Sequence, residues 1–93
     1  MLNANGCIEG DLTCVRTKFN EYYITTGTGY ATHDFNWISR NIPSELNAQL
    51  IDVTSSNAVL SLFGPNARDI LQVVTVNDVS DNGHPFGSAR QIS

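Results

Sequence analysis

Glycine and proline cut this chain into short pieces, and the pieces alternate between strand-like and helix-like patterns. Between Gly29 and Pro43, the residues Ala31, Phe35, Ile38 and Ile42 recur at spacings of four, three and four. That spacing gathers them on one helix face. Gly27-Thr28-Gly29 precedes the helix, with Thr28 placed to cap it. Pro43 ends it, because the residue before a proline avoids the helical region. Gly64-Pro65 opens a second helix, with proline at the first helical position, where its missing N–H costs nothing. Ala67, Ile70, Leu71 and Val74 form its stripe. The expected helices run from Tyr30 to about Asn41 and from Pro65 to about Val74. Ala31, Phe35, Ile38, Ile70 and Leu71 are expected to face a sheet.

The remaining pieces read as strands. Ile8 to Thr17 alternates, with Ile8, Gly10, Leu12 and Cys14 on one face and Glu9, Asp11, Thr13 and Val15 on the other. Lys18-Phe19-Asn20-Glu21 is a turn. Tyr22-Tyr23-Ile24-Thr25-Thr26, dense in aromatic and β-branched residues, should return as the second arm of a hairpin. Gln49 to Val53 reads as a third strand. Ala58 to Phe63, almost wholly apolar, reads as a fourth and central one. Ser80 to Pro85 is rich in turn residues, and Phe86 to Ile92 reads as the beginning of a further strand. The fold class expected is α+β, ordered β-β-α-β-β-α: a mainly antiparallel sheet of about four strands with two helices on one side.

A length of 93 residues allows one domain or part of one, and a modest core. With 41% hydrophobic and 15% charged residues, the composition is that of a folded chain, not a disordered one. The net charge is -4, and the basic residues Arg16, Lys18, Arg40, Arg68 and Arg90 are scattered. Nucleic-acid binding needs a clustered basic face to displace counterions, so no nucleic-acid partner is expected. No apolar run reaches membrane-spanning length, so no membrane partner is expected either. The start, Met1-Leu2-Asn3-Ala4-Asn5, lacks the charged and apolar regions of a signal peptide.

Cys7 and Cys14 would point to opposite faces of one extended strand, more than about 20 Å apart. They are expected to stay free, which leans towards a reducing, intracellular compartment. Cys7, Cys14, His33 and His84 lack the paired spacing of a zinc site, and no metal is expected. His33 beside Asp34 reads as solvated. Trp37 and Phe35 read as core or partner-facing. Tyr22 and Tyr23 could stack on a flat ligand, though paired strand aromatics more often pack in a core.

One run stands apart: Asn5-Gly6-Cys7-Ile8-Glu9-Gly10-Asp11-Leu12-Thr13-Cys14-Val15. It resembles the N-x-G-G-x-x-x-D-h-h-V pattern (h, apolar or Thr) of the folate-binding aminomethyltransferase family. That family includes the glycine-cleavage T-protein and the folate domains of dimethylglycine and sarcosine dehydrogenases. Three further blocks follow in order. Asp34-Phe35-Asn36-Trp37-Ile38 resembles D-h-x-W-h. Asp52-Val53-Thr54, with Ala58 through Pro65, Arg68-Asp69 and Leu71, resembles D-h-T followed by A-h-L-x-L-x-G-P and R-D-h-L. Phe86-Gly87 with Arg90 resembles the boundary into the next strand. The likeness covers Asn5 to Ile92, and the D-h-T and R-D elements place it nearest the dimethylglycine/sarcosine dehydrogenase branch. Cys7 stands where the family has its second glycine.

The resemblance implies that residues 1–93 are the N-terminal portion of a T-protein-like, folate-binding domain. It implies tetrahydrofolate as the one-carbon acceptor and a small methylated amine as the carbon source, with FAD possible in a separate domain of the parent. Asp11 takes the position of the family's catalytic acid. Tetrahydrofolate nitrogens are weak nucleophiles whose reaction requires proton movement, and a nearby carboxylate can move that proton or stabilise a developing cation. The family's asparagine near Gly27 is not kept, and no other folate-binding residue is assigned. Gly27-Thr28-Gly29 lacks the phosphate-loop and dinucleotide fingerprints and reads as a tight strand-to-helix turn. The parent is expected to be an enzyme, and the 93 residues alone to be inactive without the rest of the domain. The implied location is the cytoplasm of a bacterium or a mitochondrion. A second reading is non-catalytic: a regulatory or protein-interaction module of the same fold, as in the regulatory subunit of pyruvate dehydrogenase phosphatase.

Overall fold

A computed structural model describes all residues 1–93. The chain forms two compact units, Met1–Asn57 and Ala58–Ser93.

The first unit is built on a hairpin. Strands β1 (Thr13–Lys18) and β2 (Glu21–Thr25) pair antiparallel, with Thr13 opposite Thr25, Cys14 opposite Ile24 and Val15 opposite Tyr23. The register shifts between Arg16 and Lys18. The tip is held by side chains. Arg16 donates to the carbonyls of Lys18 and Phe19 at 3.2 Å each, and its guanidinium lies 5.3 Å from the Phe19 ring centroid. Glu21 pairs with Lys18 at 3.0 Å and accepts from the Thr17 hydroxyl at 2.7 Å. Burial falls on Val15 and Tyr23, while Cys14 and Tyr22 are exposed. Neither face of the hairpin is fully covered: Ile24, opposite Cys14, is half-buried like Tyr23, while Thr13 is exposed.

A short 3-10 turn, Thr28–Tyr30, leads into helix α1 (Ala31–Asn41). The helix ends where Pro43 requires, with Ile42 already extended. Thr28 makes no capping hydrogen bond; it sits inside the 3-10 turn instead. Trp37 and Ile38 are half-buried, whereas Ala31 and Phe35 are exposed. Helix α1 packs on its own leading turn rather than across the hairpin.

The second unit contains helix α2 (Ala67–Val74). Arg68 and Gln72, one turn apart on this helix, hold the segment that follows it. Gln72 donates to the carbonyls of Thr75 (3.2 Å) and Asn77 (2.9 Å), and its oxygen accepts from the Val79 amide at 3.2 Å. Arg68 donates to the carbonyls of Val79 and His84 and pairs with Asp81 at 3.0 Å. Val79 is the one fully buried apolar residue of the chain. Thr75 and Asn77 anchor the other side of this unit, bonding the Ser93 carbonyl and amide at 2.7 and 2.8 Å.

The expected four-strand sheet is not formed: the sheet has two strands. Gln49–Val53 is irregular and runs into a 3-10 turn at Thr54–Ser56. Ala58–Phe63, expected as a central strand, is not a strand, and Leu60 and Phe63 are 92% and 87% exposed. Phe86–Ile92 is not a strand either. A strand is defined by a neighbour that takes its N–H and C=O groups, and these three segments find none. The helix stripes are only partly covered: Ile38, Ala67 and Leu71 are half-buried, while Ile70 is 56% exposed.

Candidate functional site

The segment before β1 is shaped by Asn3. Its side-chain oxygen accepts from the amides of Asn5 and Cys7, both at 3.0 Å. Its backbone accepts from Gly6 (3.0 Å) and donates to the Cys7 carbonyl (2.9 Å). The tight turn requires a left-handed residue, and Gly6 supplies it with φ 75°. No non-glycine residue has positive φ, so Cys7 is accommodated without strain. Instead of the extended strand expected from Ile8, a single bridge pairs Leu2 with Ile8. Cys7 and Cys14 are both free and exposed.

This fold carries the chain past Glu9 and Gly10 to Asp11, two residues before β1 begins. Asp11 is exposed, and its carboxylate takes no part in any salt bridge of the chain. It lies before the strand in which the alternation places it.

The acids around it are committed. Glu9 accepts from the Asn3 side chain at 3.3 Å, and its other oxygen lies 3.6 Å from Nε2 of His33. Asp34 is 2% exposed. One of its oxygens accepts from the Thr26 hydroxyl; the other lies 2.9 Å from Nδ1 of His33. The Thr26 bond, then the His33 bond, hold the Asp34 carboxyl below its ordinary range. His33 is therefore not simply solvated. It bridges two carboxylates and stacks on Trp37 with ring centroids 6.5 Å apart.

Asp34 stood out in the sequence only as the acid of the D-h-x-W-h block, not as a buried residue. The available signal was a charged residue three positions after Ala31 and four before Ile38, on the flank of the apolar stripe. Of the two tyrosines, Tyr23 is half-buried and Tyr22 is exposed. Two shallow depressions lie in the second unit, one lined by residues that include Leu62, Phe63, Arg68, Leu71, Val79 and Pro85, the other by Asn77, Gln91, Ile92 and Ser93, and neither borders Asp11. No group of histidine, cysteine and acidic side chains is arranged to hold a metal ion. No helix is long and apolar enough to cross a membrane.

The family model described as GCVT N-terminal domain matches residues 1–93. Sarcosine oxidase subunit alpha of Rhizobium meliloti is 33% identical over 96 residues, covering 100% of this chain and 10% of that protein. Mitochondrial dimethylglycine dehydrogenase of Homo sapiens is 31% identical over 87 residues, covering 92% of this chain and 10% of that protein. An aminomethyltransferase of Symbiobacterium thermophilum is 30% identical over 95 residues, covering 100% of this chain and 25% of that protein. The chain thus spans about a tenth of the length of the first two relatives. No solved structure matches it significantly.

Proposed function

The chain belongs to the GCVT N-terminal domain family, and on that premise we propose that it is part of a tetrahydrofolate-dependent, one-carbon-transferring domain of a dimethylglycine/sarcosine dehydrogenase-like enzyme. The observation that carries the reading is Asp11. It is the acid at the family motif's position, and it is exposed while its neighbours Glu9 and Asp34 are engaged. A carboxylate with open acceptor positions can take or return a proton at a ligand nitrogen and stabilise positive charge developing there. Tetrahydrofolate, when bound, supplies the weakly nucleophilic nitrogens that capture the carbon unit.

This chain's part is to hold one carboxylate at a fixed place. Gly6 and Asn3 set the turn, Gly10 passes close to helix α1, and β1 anchors the far side. On this reading the walls of the pterin pocket come from other parts of the parent, and the 93 residues alone are inactive. Amine oxidation belongs, on this reading, to an FAD-bearing domain elsewhere in the parent, in a bacterial cytoplasm or a mitochondrion.

The test compares the 93 residues with the full-length protein that carries them. Isothermal titration with tetrahydrofolate should show binding to the full-length protein and none to the short chain. Turnover of a methylated amine should yield a folate-bound one-carbon product. A full-length protein that neither binds tetrahydrofolate nor makes that product is a non-catalytic member of the family.

A further inference from the structure

Asp34 is a buried carboxylate with an assigned partner on each oxygen, which leaves it no part in proton transfer to an outside ligand. Its further neighbours are the Met1 ammonium, which donates to the Gly10 carbonyl at 2.7 Å, and Gly10 itself. A Cβ placed on Gly10 would lie 2.9 Å from Oδ1 of Asp34 and 2.8 Å from the terminal methyl of Met1. The methyl is the free end of a flexible side chain and can move aside. Oδ1 cannot move so easily, because His33 lies 2.9 Å from it and Thr26 holds the other oxygen. His33 also faces Glu9 at 3.6 Å. The first turn of α1 therefore touches the chain at residues 9 and 10, immediately before Asp11.

We propose that Asp34 is a positioning residue for Asp11, acting through the backbone of Gly10; the inference rests on Asp11 being the acid–base group proposed above. Consecutive Cα atoms are about 3.8 Å apart, so a displacement of Gly10 passes nearly undiminished to Asp11. A misplacement of about 1 Å at a reacting group can cost on the order of a hundredfold in rate. The requirement for glycine at position 10 comes from this close approach, not from a left-handed backbone, since its φ is not positive.

The experiment is a double-mutant cycle in the full-length protein, reading folate product and amine oxidation separately, with Asp34→Ala, Asp34→Asn, Gly10→Ala and Gly10→Ala/Asp34→Ala. Asp34→Ala should lower kcat for folate product by about tenfold or more. The KM for tetrahydrofolate should change by less than about threefold, and amine oxidation should hold. Asp34→Asn keeps the shape and an acceptor for Thr26, and should retain most of the rate. Gly10→Ala should lose rate through the clash, and the double variant should be no worse than the poorer single one, because removing the carboxylate makes room for the new methyl. Losses that add in the double variant, or an Asn variant as impaired as Ala, overturn the proposal. If Asp11→Asn itself leaves folate product unchanged, it is the catalytic reading that fails. The Asp11 and Leu12 amide resonances of the Gly10→Ala and Asp34→Asn proteins then decide the positional claim: shifts in Gly10→Ala and near-native positions in Asp34→Asn support it, and unmoved resonances in Gly10→Ala overturn it.

Discussion

Thr26 donates its hydroxyl to Asp34, tying the residue just past β2 to the first turn of α1. The bond favours the ionised carboxylate, and with His33 it holds the Asp34 carboxyl below its ordinary value of 3.8. A pKa lowered in the folded state contributes stability that is fully present above the unfolded value. That contribution is lost as pH falls through the folded value. The stability of the first unit should therefore decline as pH drops below 3.8. Asp34→Asn should remove part of that slope. The rest remains because Thr17 and Lys18 lower Glu21, and Thr54 lowers Asp52, in the same direction. Thr26→Val should move the Asp34 titration upward, as read from its carboxyl carbon resonance. An unchanged midpoint would show that the bond is not made in solution.

In the second unit the corresponding tie is Arg68. Its guanidinium holds the carbonyls of Val79 and His84, and so keeps the one fully buried apolar side chain covered. Arg68→Ala should cost about 1.5–3 kcal/mol, the range for a hydrogen bond to a charged group. Amide exchange at Val79 should quicken while the α2 amides change less. Equal protection at Val79 in both proteins would assign the covering to Gln72 alone.

Local pattern made much of this fold legible in advance. The hairpin needs only alternation and a turn, and Lys18 to Glu21 supplies it. Helix α1 needs a stripe and a proline stop, and Ala31 to Pro43 contains both. Strands at 49–53 and 58–63 were read from the same kind of pattern, but a strand also needs a partner, and pattern does not supply one. Asp34 was hidden for a related reason: its burial depends on Thr26 and Gly10, 8 and 24 positions away in the chain. Asp11 looked like any surface acid on composition and spacing. The motif around it, not its own environment, singled it out.

The cysteines give a simple chemical check. Cys7 follows the Gly6 turn and Cys14 lies on β1, and both are exposed and free. Unreduced monomer should therefore titrate two thiols with a quantitative sulfhydryl reagent. A monomer giving none would require the two to meet, and with them a different path for residues 7–14.

Asp11→Asn tests the chemistry most directly. The amide matches the carboxylate in size and keeps one acceptor oxygen, so fold and folate affinity should be almost unaltered. Asp11 takes part in no salt bridge of the chain, so little structure depends on its charge. What the amide cannot do is exchange a proton near neutral pH or balance a developing positive charge. Formation of folate-bound product by the full-length protein should fall on the order of a hundredfold or more, the scale of a positioned acid–base group. Amine oxidation should be nearly unchanged, because on the proposed reading it takes place in a separate domain. Measuring both products on the same preparation separates the two steps. Equal loss of both would point to a damaged fold, and undiminished folate product would remove Asp11 from the mechanism.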